Sequence, residues 1–228
     1  MLLQTARFSR ITTSAGLVAG AVGMLTGMAL TPWEPEDSAA SMIQTISAHP
    51  VQGEVAPLFL HYGLVCLSIS VLGLLTMVRH RAVVWGRSAG LLAFVGLANL
   101  SGMLLVDWFA IALGQSGLPI EDAVGILERS ATPINMVAWQ IPGLIGVYLG
   151  LPLFLLALWR NGFIPWWPAV AVVAFIIASV ILPPTLASSI LGALPYAAAL
   201  SYVGWKTLSL DDTAWAEEEQ PSPAEPTS

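Results

Sequence analysis

The sequence predicts an all-α fold: a bundle of six transmembrane helices with short interfacial helices in its two longer outer loops. Three observations predict it. The chain is 56% hydrophobic and only 10% charged, whereas soluble domains carry about 25% charged residues. Its apolar residues gather into six runs of about 18 to 29 residues, each long enough for a hydrocarbon core of about 30 Å. Seven of the eight Lys and Arg residues fall on one side once those runs alternate in direction. No stretch between runs can hold a separate soluble core. One membrane domain, 14–206, is therefore expected between a cytoplasmic N-terminal segment, 1–13, and an acidic, disordered cytoplasmic tail, 207–228.

The first span, 14–31, follows Arg7 and Arg10 and carries Gly16, Gly20, Gly23 and Gly27 at helical spacing. Such a stripe lets a second helix backbone come close, within the bundle or from another copy of the chain. Gly27-Met28-Ala29 is a weak small-x-small cleavage pattern, but the run is long for a signal peptide. The polar stretch to residue 56 has four acidic residues and no Lys or Arg. Within it, Asp37-Ser38 cap a short amphipathic helix presenting Ala39, Met42, Ile43 and Ile46, which His49-Pro50 end.

The second span, 57–78, runs into Arg79-His80-Arg81. The third, 85–113, is longer than a bilayer requires and must tilt or project at one end. A second surface helix follows, with Ile120, Val124 and Leu127 on one face. The fourth span, 134–159, contains Pro142 and Pro152, which cannot donate to the carbonyls four residues back and so kink it. Arg160-Asn161-Gly162 turn into the fifth, 163–182, with Pro165 in its first turn. Pro183-Pro184 break it, and the sixth, 186–205, ends beside Lys206. Trp33, Trp85, Trp108, Trp166, Trp167 and Trp205 read as interface anchors.

Arg7, Arg10, Arg79, Arg81, Arg87, Arg160 and Lys206 share one side under this topology, leaving Arg129 opposite. By the positive-inside rule both termini are cytoplasmic, in a cell inner (plasma) membrane. The expected surroundings are the lipid bilayer and either other membrane-protein subunits or a second copy of this chain.

Asp107 is the single acid or base buried inside an apolar run, apart from histidine. A carboxyl group in lipid needs a partner, water or a proton. Counting inward from the span ends puts His61, Asp107 and Gln140 at similar depths in the outer half, with Asn99 deeper on the Asp107 stripe. Two readings stay open. As a functional site, Asp107 and His61 bind a cation or relay a proton from the outer side. As structural groups, the same residues hydrogen-bond across helices, each such contact contributing on the order of 1 kcal/mol or less.

Other chemistry lacks residues. The lone Cys66 excludes a disulfide within the chain and a CxxC pair. No phosphate loop, nucleophile elbow or metal-ligating spacing occurs, so no catalytic residue, metal or cofactor is expected, and an intramembrane enzyme is the least supported class. Nucleic acid is unlikely to be a partner in the absence of a basic, aromatic-interleaved patch.

The turn Leu158-Trp159-Arg160-Asn161-Gly162-Phe163-Ile164-Pro165-Trp166 resembles a pattern of Arg, small residue, hydrophobic pair, Pro and Trp in multi-pass bacterial membrane proteins. The six-span layout with a long first outer loop is similar to theirs. Scarcity of Lys beside Arg, Ala and Gly resembles proteins of GC-rich, actinobacterial-like organisms. The resemblance implies a bacterial membrane protein. It brings no chemistry, so no site residue comes from it.

Overall fold

A computed structural model of the chain describes residues 2–33, 36, 38–183 and 185–216. The described residues are helices and connecting turns: α1 (Leu2–Leu30), α2 (Ala39–Ala48), α3 (Pro50–Leu74), α4 (Val83–Met103), α5 (Leu105–Gln115), α6 (Ile120–Ser130), α7 (Pro133–Arg160), α8 (Trp167–Ile181), α9 (Leu186–Leu208) and α10 (Asp212–Ala216). Five helices are long and apolar enough to cross a membrane: α1, α3, the near-continuous α4–α5, α7 and α9. The fifth expected span is shorter than read. Phe163 to Trp166 form a turn, and α8 is a 15-residue apolar helix of roughly 22 Å. Its first turn carries Pro168 rather than Pro165, because a proline is favoured where the backbone N–H has no helical acceptor.

Other boundaries also move. The helix containing the second span begins at Pro50, not 57, directly after His49 ends α2, since proline suits a first helical turn as well as it closes the preceding helix. Polar residues ahead of position 14 continue α1 back to Leu2. Ser38 caps α2 by accepting the Ser41 N–H at 3.1 Å, while Asp37 lies outside the described residues. Pro184 lies outside them too, and Thr185 and Ser188 form a reciprocal capping box at the start of α9.

The long helices pack in the order α8, α9, α1, α3, α4, α7, and α7 returns to touch α8. Small residues set the closest approaches. A Cβ built on Gly20, Gly23 or Gly27 would run into Leu67, Gly63 or Leu60 of α3, so this glycine stripe is spent inside the bundle. A Cβ on Gly96 of α4 would lie 2.5 Å from the Gly146 Cα of α7, and backbones can approach this closely only without side chains. Leu17, Leu67, Leu97, Phe154, Leu155 and Leu200 fill the axis at 2% exposure or less.

Pro142 and Pro152 bend α7 by a specific device. Each is preceded by a π-turn, Met136–Gln140 and Gly146–Gly150, in which the Ile141 and Leu151 N–H groups reach five residues back. The wider turn makes room for the proline ring and leaves carbonyls for other partners.

The α4–α5 unit is 33 residues long, about 50 Å, and exceeds a hydrocarbon core by about 20 Å. Its excess does not stand bare. Ala110, Ile111 and Leu113 of α5 bury against Ile43 and Ile46 of α2 and Ala123 and Leu127 of α6, forming a second small core. The two helices expected at a surface are packed together around the end of a third.

At the opposite end the chain termini meet. Arg10 of α1 donates from Nε and Nη2 to Asp212 Oδ1 at 3.1 and 2.9 Å, and from Nη1 to the Leu208 carbonyl. Arg79 donates to the carbonyls of Ala214 at 3.1 Å and Trp215 at 2.8 Å, and Trp215 is buried. Residues 207–216, expected as part of a disordered tail, are instead ordered against the bundle by a tryptophan and two aspartates. Residues 217–228 lie outside the described ones.

Candidate functional site

The four candidate polar residues lie on α3 (His61), the α4–α5 unit (Asn99 and Asp107) and α7 (Gln140). His61, twelve residues into α3, has its Nδ1 2.7 Å from Ser101 Oγ of α4 and its ring edge-on to Tyr62. Ser101 is buried and sits on the α4 face toward α3, below the point where α4 ends. His61 thus pairs with a hydroxyl across the helix interface.

Asp107 is in the first turn of α5, just past the interruption at Leu104, and its own N–H bonds the Leu104 carbonyl at 3.2 Å. It is half-buried. Because α5 continues into the three-helix cap, Asp107 stands at the base of that cap.

Asn99 is part of a reciprocal clasp with α7. Its Nδ2 donates to the Trp139 carbonyl at 3.2 Å, and the Trp139 indole Nε1 donates to the Asn99 carbonyl at 2.8 Å. The Trp139 carbonyl lies in the π-turn ahead of Pro142, and Asn99 is the fifth residue from the end of α4. Gly102 makes room for the indole, since a Cβ there would collide with the Trp139 ring.

Gln140 belongs to a different environment. It lines an open cavity of about 410 Å³ between α5 and the start of α7, with Met103, Val106, Phe109, Asn135 and Trp139. Of the four polar candidates, then, two hold helices together, one sits at the cap junction, and Gln140 alone faces a space large enough for a ligand.

Similar clasps recur elsewhere in the bundle. Ser14 donates to the Gly204 carbonyl at 2.7 Å, tying α1 to α9, and Ser68 donates to the Phe94 carbonyl at 3.2 Å, tying α3 to α4. No group of three His, Cys, Asp or Glu residues capable of holding a metal occurs among the described residues. Two buried polar atoms there lack a partner: Ser41 Oγ in the cap and Tyr196 Oη in α9, the latter ring 4.9 Å from Phe175.

The basic end has a polar centre that the sequence reading missed. Asn161 Oδ1 accepts from the consecutive backbone N–H groups of Arg79, His80 and Arg81 at 3.1, 3.0 and 3.1 Å. Its Nδ2 donates to the Arg81 and Ala157 carbonyls at 2.6 and 2.8 Å. One side chain thereby fixes the α3–α4 loop, in which Ala82 has φ 59°, onto the end of α7. The available signal was Asn161-Gly162 itself: an asparagine at a helix end ahead of a glycine at φ 75° has a side chain free to bond loop backbone.

No family model, curated protein or solved structure matches this chain.

Proposed function

We propose that the chain is a six-span protein of a bacterial inner membrane, with both termini in the cytoplasm, that serves as a non-enzymatic subunit of a membrane assembly. Six crossings are supported by the Arg10–Asp212 pair, which joins the two ends of the chain at one end of the bundle and so favours an even number of spans. On this reading α8 is the remaining span, lengthened by the buried Phe163 and Ile164 at its start. The basic end, with Arg79, Arg81, Arg87 and Arg160, faces the cytoplasm. The cap of α2, α5 and α6, with Glu121, Asp122 and Glu128 on α6, faces outward. The cap helices rest at the outer interface, and Asp107 lies at the junction of cap and membrane.

The observation that carries the functional reading is the bundle axis. Among the described residues it is occupied by Leu17, Leu67, Leu97, Phe154 and Leu200, around a space too small for a substrate. Two of the four candidate polar residues are engaged in holding helices together: His61 with Ser101, and Asn99 with Trp139. Affinity purification from native membranes in mild detergent, with mass spectrometry of co-purifying polypeptides, tests this. A stoichiometric membrane-protein partner is the expected result; a monomer that moves protons or cations in liposomes would contradict it. The second reading, cation or proton transfer through Asp107 and His61, draws on the outward cavity beside α5. It requires that Asp107→Asn abolish flux without changing the melting profile.

A further inference from the structure

We propose that the wedge between α5 and the start of α7 is a binding site for a neutral, hydroxyl-bearing lipid of the outer leaflet, of the glyceride or long-chain alcohol class. The proposal rests on the reading that the bundle spans a bilayer with its α5 end outward. The wedge follows from backbone geometry. Gly96 against Gly146 brings α4 and α7 into contact, and the Asn99–Trp139 clasp is their last joint. Beyond it α4 is interrupted at Leu104 and α7 enters its π-turn, so the two diverge. The resulting cavity of about 410 Å³ is within the usual range for small-molecule sites, about 300–1,000 Å³.

The chemistry of the walls selects the occupant. Among the lining residues none is Lys, Arg, Asp or Glu, so a phosphate or carboxylate head would enter without a counter-charge. Most donors of the other polar residues are already used: Ser130 Oγ to the Leu127 carbonyl, one Asn135 Nδ2 hydrogen to the Ser130 carbonyl and Trp139 Nε1 to the Asn99 carbonyl. The Gln140 carboxamide makes no hydrogen bond among the described residues, and it offers one acceptor and an NH₂ donor. A hydroxyl complements both, donating to the amide oxygen and accepting from the amide N–H. The opposite wall, Met103, Val106 and Phe109, is apolar. Leu105 of the lining is 64% exposed, and Ile134 and Val137, neighbours in sequence of lining residues on α7, are 80% and 66% exposed, leaving a lipid chain in continuity with the surrounding acyl chains.

The test uses the full-length protein in vesicles of phosphatidylethanolamine and phosphatidylglycerol containing a small fraction of diacylglycerol with a diazirine on its acyl chain. Flotation establishes membrane insertion, and photolysis with peptide mapping locates the label. The expected result is label concentrated on 102–109 and 133–140, removed by excess unlabelled diacylglycerol and not by extra phosphatidylglycerol. Gln140→Leu should lower it roughly five-fold, as loss of one hydrogen-bonded contact implies, and Phe109→Trp should lower it by filling the wedge. Even labelling of all lipid-exposed faces, or equal competition by phosphatidylglycerol, overturns the site; the competition arm needs only the wild-type protein, so a misfolded variant leaves the decision intact. Failure to float overturns the membrane reading and the site together, whereas flotation with even labelling overturns the site alone.

Discussion

At the scale of single residues, some polar side chains among the described residues bond loop or helix-end backbone, and two buried ones have no partner. Asn161 is the clearest of the first kind, with three backbone donors and two backbone acceptors on one carboxamide. At about 1 kcal/mol net per hydrogen bond, partly replaced by water at this half-exposed site, Asn161→Ala is expected to lower stability by about 2 kcal/mol. Thermal melting in detergent measures it. Asn161→Asp keeps the acceptor but sets a carboxylate oxygen against two carbonyls, so it is not expected to rescue the loss. Tyr196 is of the second kind: its hydroxyl is buried without a partner, and Tyr196→Phe should raise stability by about 1 kcal/mol. A fall in melting temperature would mean that the hydroxyl has a partner. Little of this was legible in the sequence. His61 and Asn99 drew attention as polar groups in apolar runs and both bond across helices, but their partners Ser101 and Trp139 were not legible, because which residues face each other across two helices depends on helix rotation that one sequence leaves open.

At the scale of elements, small residues and prolines decide where helices touch and where they part. Gly146→Ala would set a methyl group against the α4 backbone at Leu92 and Gly96, neither of which can move as a side chain can. A loss of about 2 kcal/mol or more is expected from such overpacking. Gly125→Ala is the control: it lies within α6 with its nearest neighbour, an Arg129 nitrogen, at 3.5 Å, and helix propensity alone should add about 0.5–1 kcal/mol. A similar loss from both changes would refute the close-contact account. The tail helix α10 should respond to acid. The Ala214 N–H and Thr213 hydroxyl, both donating to Asp211, hold its carboxyl below the ordinary value of 3.8. A depressed carboxylate contributes order above its unfolded pKa and loses it as pH falls through the lowered value, so α10 should stay docked from neutrality to about pH 4 and loosen below that. Hydrogen exchange over 209–216 reports this, and protection unchanged into stronger acid would count against it. The elements themselves were largely legible, because apolar runs, prolines and caps are local. Several boundaries were not, two of them for a plain reason. The start of α3 at Pro50 was concealed by a proline that both ends and begins a helix, and the short α8 by an apolar turn, Phe163 to Trp166, that reads like helix until it is seen folded.

At the scale of the whole molecule, the bundle has an apolar axis, a small separate core that covers one end, and a basic end where the chain's two ends are tied. The all-helical, multi-pass character followed from composition and run length. The cap did not, since only the excess length of the third run and two amphipathic faces hinted that three short surfaces must find one another. A structural subunit with a filled axis should be inert as a conduit. The most direct measurement is proton and monovalent-cation flux through liposomes containing the purified wild-type protein, beside Asp107→Asn and His61→Ala. The account expects flux no greater than in protein-free liposomes for all three. A protein-dependent flux that Asp107→Asn abolishes while the melting profile stays the same would contradict it.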